Sequence, residues 1–355
     1  MSFIMAPTEW RWINRFMQQM QLCGLKAGDE CVVLSESDSR PELVSTAILA
    51  AEAIGAKPFQ VVMRSPANDQ PVALRSTGTS LALKDNSSAV TAISSVPFVI
   101  DVTAEGLLHS RELRAILAAG CEVLMISNEH PSNYERLPHD SDMARRVAQS
   151  HEFMKTCKTM RAVSEWGTDL HIELADAFTA GSTGVTDGPG SIAHWPGGLV
   201  LAFPAPHRVN GTVVLAPGDV NLTFKHYVQS PITLTIEDDY VVDIRGEGYQ
   251  VDMLKSYMSA FDSDAYATSH VGWGMNPSAR WDYLELYDRS QHNGVEARAF
   301  EGNFMYSTGS NENADRFSVC HFDIPMRNCD VFIDDQQVVD HGILTGIAAE
   351  SESND

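Results

Sequence analysis

The sequence predicts a two-domain α/β protein, with an N-terminal unit on a parallel sheet over residues 1–185 and a C-terminal α/β unit with a mixed, partly antiparallel sheet over 186–355. Three observations carry this. β-type runs alternate with helical spacing through the first half. The segment 181–190, GSTGVTDGPG, is the clearest break in the chain. Beyond it come short β runs separated by Gly, Pro and Asp, the mark of hairpins. At 355 residues the chain can bury two cores.

The elements follow in order. Trp10, Ile13, Phe16, Met17 and Met20 recur at helical spacing and Gly24 can close the helix, so 9–23 is read as helical. A strand at Cys31-Val32-Val33-Leu34, a helix over 41–54, and strands at Phe59-Gln60-Val61-Val62 and Val96-Pro97-Phe98-Val99-Ile100 come next. A helix over 111–119, a strand at Val123-Leu124-Met125-Ile126 and a helix over 142–163 complete the first half. In the second half β runs are expected at 197–203, 211–215, 232–236 and 240–244, a helix over 250–261, and extended chain over 267–274 and 304–317.

Composition narrows the function. Forty-seven Asp and Glu against 25 Lys and Arg give a formal charge of −22, which argues against nucleic acid or an anionic membrane as partner. No run of about 18 apolar residues occurs, and the first seven residues lack a signal-peptide pattern, so a soluble cytoplasmic protein is expected. The six cysteines form no C-x-x-C pair, as in a reduced protein without a structural zinc. Residues 350–355 read as a frayed acidic tail. Nucleotide-binding and G-x-S-x-G motifs are absent from the sequence.

The chemistry-bearing stretch is Val319-Cys320-His321-Phe322-Asp323-Ile324-Pro325. Alternation in a strand puts His321 and Asp323 on one face, where an imidazole and a carboxylate can share a divalent metal. The same pattern arises by chance. His109, in a loop beyond the strand ending near Ile100, lies where parallel sheets bind ligands, although a lone loop histidine is commonly just solvated.

Five motifs then recur in a known order: Gly167-Thr168-Asp169-Leu170, Trp195-Pro196-Gly197-Gly198, Val209-Asn210-Gly211-Thr212-Val213-Val214, Gly272-Trp273-Gly274-Met275-Asn276-Pro277 and His321-Phe322-Asp323. Across about 160–345 the chain resembles the thermophilic-type metallo-aminopeptidase superfamily. That resemblance implies an aminopeptidase-like C-terminal domain carrying a metal site. It departs at three positions where the peptidases hold metal ligands, which here are Leu199, His270 and Met305. Leucine and methionine are not ligands for a zinc-like pair, which leaves His270, His321 and Asp323, a set suited to mononuclear Fe(II).

Within the superfamily the chain resembles the branch of 2,5-dihydroxypyridine 5,6-dioxygenases, to which residues 296–309 (EARAFEGNFMYSTG) and Leu108-His109 also conform. The resemblance implies Fe(II), O2 and a small aromatic N-heterocycle as substrate, with His109 as catalytic base. Arg298, Ser307, His194 and Leu108 are the expected substrate contacts, and Trp195, Phe304 and Tyr306 are candidate aromatic walls. A homo-oligomer is expected. The rival readings are a metallo-aminopeptidase or related hydrolase of the same fold, and a non-catalytic binding relative.

Overall fold

The structure, a computed structural model, describes residues 6–67 and 78–350; residues 351–355 of the expected tail and the first five residues lie outside them. Among the described residues no helix is long and apolar enough to cross a membrane.

Five parallel strands form the first sheet, in the spatial order Lys57–Met63, Glu30–Glu36, Phe98–Asp101, Glu122–Ile126, Ile192–Trp195. The central strands Glu30–Glu36, Phe98–Asp101 and Glu122–Ile126 are mostly apolar on both faces because both faces are covered. Val33, Ile100 and Leu124 pack with Phe16 and Met20 of the Trp10–Leu22 helix, while Val32, Val99 and Val123 pack on the opposite side with Ile93 and Ile116. The strand order reverses between Glu30–Glu36 and Phe98–Asp101, which opens a crevice at their carboxyl ends.

The C-terminal sheet expected to be mixed resolves into an antiparallel sheet of eight strands and another of five. The five run in the order Arg316–Met326, Phe304–Asn311, Thr268–Gly274, Leu199–Phe203, Phe178–Ser182. One face of this sheet (Val200, Ala202, Val271, Trp273, Phe304, Tyr306, Phe322, Ile324) joins Leu170, Ile172, Val213 and Leu234 of the larger sheet in one core. The other face lines a cavity.

Two expectations need correction. The helix expected over 142–163 stops early: Ser141–Met154 is helical, and Thr159–Val163 is a strand whose burial alternates to match its β-type composition. The change of sheet is also not one cut at residue 185. Strands between 159 and 182 already belong to the antiparallel sheets, and Ile192–Trp195 returns to the parallel sheet by pairing with Glu122–Ile126. Pairing partners distant in sequence decide this, so the glycine-rich segment marks the return crossing.

Candidate active site

Register builds the centre of the site. In the strand Arg316–Met326, His321 and Asp323 face the cavity, whereas Cys320, Phe322 and Ile324 enter the core. The next strand sets Gly309 opposite His321 and Ser307 opposite Asp323. A side chain at Gly309, whose φ is +111°, would meet the carbonyl of Cys320 at 1.9 Å, so only glycine lets the strands close here. His270 comes from Thr268–Gly274, at a register irregularity between Thr268 and Val271, where a bulge can re-aim a side chain.

The three predicted ligands meet. Nε2 of His270 and Nε2 of His321 are 3.1 Å apart, and Oδ1 of Asp323 lies 3.0 Å from His321 Nε2 and 3.6 Å from His270 Nε2. Two metal–ligand bonds of about 2.1 Å at right angles separate their donors by about 3.0 Å, so these atoms fit one face of an octahedron. Protonation states agree with this. Burial drives the pKa of His270 well below the usual imidazole value, helped by His321, and burial lowers that of His321 against the pull of Asp323. Burial alone would raise the Asp323 carboxyl, but His321 and Arg298 hold it well below the carboxylate range. Two neutral imidazoles and one carboxylate are what a divalent cation needs.

Arg298 and Ser307, expected at the substrate, both reach Asp323. Arg298 Nε donates to Oδ2 at 2.5 Å and Ser307 Oγ donates to Oδ1 at 2.5 Å. Arg298 also lines the cavity. Its helix, Val295–Ala299, is tied to the parallel unit by the buried Glu129, whose Oε1 accepts from the amides of Asn293 and Val295. The Nδ1 atoms of His270 and His321 are buried and have no hydrogen-bond partner among the described residues, so packing orients these rings.

His109 enters from the other unit, its ring centroid 4.6 Å from that of His321. Buried carboxylates shape its loop at the crevice of the parallel sheet. Asp101 Oδ1 accepts from the amide and hydroxyl of Thr103, and its Oδ2 accepts from the amide of Leu107. Glu36 Oε1 accepts from the amide of Ala104, and the amide of His109 donates to the carbonyl of Gly78 at 2.7 Å. Burial raises the Asp101 carboxyl to about 6. The imidazole Nδ1 lies 3.2 Å from Glu312 Oε1, a contact that sequence reasoning missed because 203 residues separate the two.

The cavity encloses about 550 Å3. Leu108, His194, Leu199, Leu201, Phe203 and Met305 line it, so the two lost peptidase-ligand positions now present apolar surface. His194 Nε2 is 2.9 Å from Ser127 Oγ, and burial together with Arg298 lowers its pKa to about 4. The expected aromatic walls are elsewhere: Trp195, Phe304 and Tyr306 are fully buried in the cores. Phe203 and Phe178 take that place.

Comparison with known proteins gives the same direction throughout. The family described as 2,5-dihydroxypyridine 5,6-dioxygenase matches residues 11–346. A curated 2,5-dihydroxypyridine 5,6-dioxygenase of Pseudomonas putida is 35% identical over 331 residues, covering 91% of this chain and 93% of its own length. The solved structure of the 2,5-dihydroxypyridine dioxygenase of Pseudomonas putida KT2440 superposes with a TM-score of 0.87 at 33% identity, covering 94% of this chain and 96% of that one. AmpT from Thermus thermophilus, an aminopeptidase-like fold, aligns with a TM-score of 0.55 at 14% identity, covering 95% and 99%, which speaks to architecture alone.

Proposed function

The chain belongs to the 2,5-dihydroxypyridine 5,6-dioxygenase family, and from that premise we propose that it is an Fe(II)-dependent, extradiol-type dioxygenase opening 2,5-dihydroxypyridine between C5 and C6 to N-formylmaleamic acid. The observation that carries this reading is the convergence of His270 Nε2, His321 Nε2 and Asp323 Oδ1 within 3.6 Å of one another in a buried cavity. Fe(II), when bound, supplies a centre with open positions through which an electron-rich ring and O2 can exchange charge.

The chain's own residues do the rest. His109 accepts a ring hydroxyl proton at Nε2, which makes the ring a better electron donor. Leu199, Leu201, Phe203 and Met305 pack on the ring and keep water from it. Arg298 holds Asp323 ionised and brings positive charge to the cavity wall, where a deprotonated ring oxygen is favoured. Ser307 fixes the orientation of the carboxylate, and His194, kept neutral, offers a polar contact that carries no charge. Leu108 closes the wall beside His109. With this reading go a nicotinate-type pyridine breakdown route, a cytoplasmic location and a homo-oligomer.

The test is O2 uptake by protein reconstituted with Fe(II) without air and then given 2,5-dihydroxypyridine. Equimolar loss of ring and O2, with both atoms of 18O2 in the product, is expected. Hydrolysis of a peptide amide without O2 consumption overturns the reading in favour of a peptidase.

A further inference from the structure

The hairpin joining Phe304–Asn311 to Arg316–Met326 carries Ser307, His321 and Asp323 on its strands and Glu312 at its tip. That tip is built to hold its place. Asn311 is fully buried; its Oδ1 accepts from the amides of Asn313 and Ala314, and its Nδ2 donates to the carbonyl of Pro204 at 2.9 Å. These bonds anchor the tip to its own sheet, and from there the Glu312 carboxylate faces His109 Nδ1 of the parallel unit, its two oxygens 3.2 and 3.4 Å away. The His109 side chain is 2% exposed and that of Glu312 26%, so the contact is largely shielded from solvent.

We propose that Glu312 is the positioning residue of His109: its carboxylate accepts the Nδ1–H and thereby leaves Nε2 without a proton, free to take one from the substrate. With the carboxylate ionised and the ring neutral, the chemistry allows one arrangement of this pair. An ionised carboxylate only accepts, so the ring nitrogen facing it carries the hydrogen, and a neutral imidazole has a single N–H. Burial alone would raise the Glu312 carboxyl, yet the hydrogen bond from His109 brings it below its ordinary value, which agrees with an ionised acceptor. During turnover the substrate O–H breaks and Nε2–H forms. The new positive charge of the ring then sits beside the carboxylate, which itself stays ionised. A plain rim ion pair would be worth little, whereas control of the tautomer decides which nitrogen can act.

The assignment rests on the proposed role of His109, and its test keeps the two apart. The full chain, 15N-labelled at histidine and studied with and without Zn(II) as a diamagnetic probe, should show His109 as the Nδ1–H tautomer, its signals identified by their loss in His109→Asn. Glu312→Ala should shift those nitrogens toward a mixture of tautomers. It should also lower kcat on the order of 100-fold, with KM changed by less than about threefold. Glu312→Gln, whose amide oxygen still accepts the Nδ1–H, should keep the tautomer and stay within about tenfold of wild-type kcat. If Glu312→Ala does not fold, the tautomer of the wild-type His109 ring decides. Wild-type protein that shows the Nε2–H tautomer, or an active Glu312→Ala with unchanged nitrogen shifts, overturns the assignment. An inactive wild type with the Nδ1–H tautomer in place instead counts against the dioxygenase reading.

Discussion

His270, His321 and Asp323 stand on paired strands of one antiparallel sheet, whereas His109 stands on a loop of the parallel unit. The sheet positions its groups by register, with Gly309 opposite His321 and Ser307 opposite Asp323, so the donor atoms are fixed by the same hydrogen bonds that fix the fold. The loop has no ladder. It is held by Asp101 and Glu36, which accept the amides of Thr103, Leu107 and Ala104 at the strand-order reversal. The half that carries His270, His321 and Asp323 is therefore held by the sheet ladder, and the half that carries His109 depends on a few buried carboxylates.

Substitutions can break that comparison, and the largest effect belongs to the sheet. Asp323→Ala leaves two imidazoles and the partly buried Arg298 guanidinium without a carboxylate, and Fe(II) binding measured by metal analysis should vanish along with turnover. His109→Asn comes next: if His109 is the base, as proposed, kcat should fall by about 10²- to 10⁴-fold while Fe(II) content stays at the wild-type level, whereas loss of Fe(II) would make it a ligand with His270 and His321, near which it lies. Ser307→Ala should weaken Fe(II) binding by about tenfold in a titration, since the carboxylate loses one of its orienting donors.

The smallest effect belongs to the loop support. Asp101→Asn turns an amide donor toward the Leu107 N–H, and should cost about 1–3 kcal/mol in chemical denaturation and lower kcat without touching Fe(II) affinity. It also has a pH signature. The folded state holds the Asp101 proton up to about 6, above the ordinary value of 3.8, so it binds more protons than the unfolded chain across that interval. Its ionisation therefore lowers stability as pH rises from about 4 to 6, the full cost being present above that window and absent below it. Asp101→Asn should remove this slope.

Much of the site was legible because strands alternate. His321 and Asp323 share a face by position alone, and the motif containing Gly272 and Asn276 pointed to His270. The same alternation also excludes Phe304 and Tyr306 as cavity walls once Ser307 faces the site, and it puts Leu199, Leu201 and Phe203 on the cavity side. What was not legible depends on register and long-range contact. Nothing local says that Ser307 lies opposite Asp323, that Arg298 turns to the same carboxylate, or that Glu312 meets a histidine 203 residues earlier. The overlong helix over 142–163 failed for the related reason that Thr159–Val163 takes its conformation from pairing with Asp169–Glu173 and Asp330–Ile333.

The central claim is that this sheet builds one metal face, with Leu199 and Met305 removing the second site. Anaerobic Fe(II) titration of the wild-type chain and of Asp323→Ala, read by metal analysis after desalting, tests it most directly. A single Fe(II) per chain, lost in the variant, is the expected result; two metal ions per chain, or undiminished binding in Asp323→Ala, would contradict it.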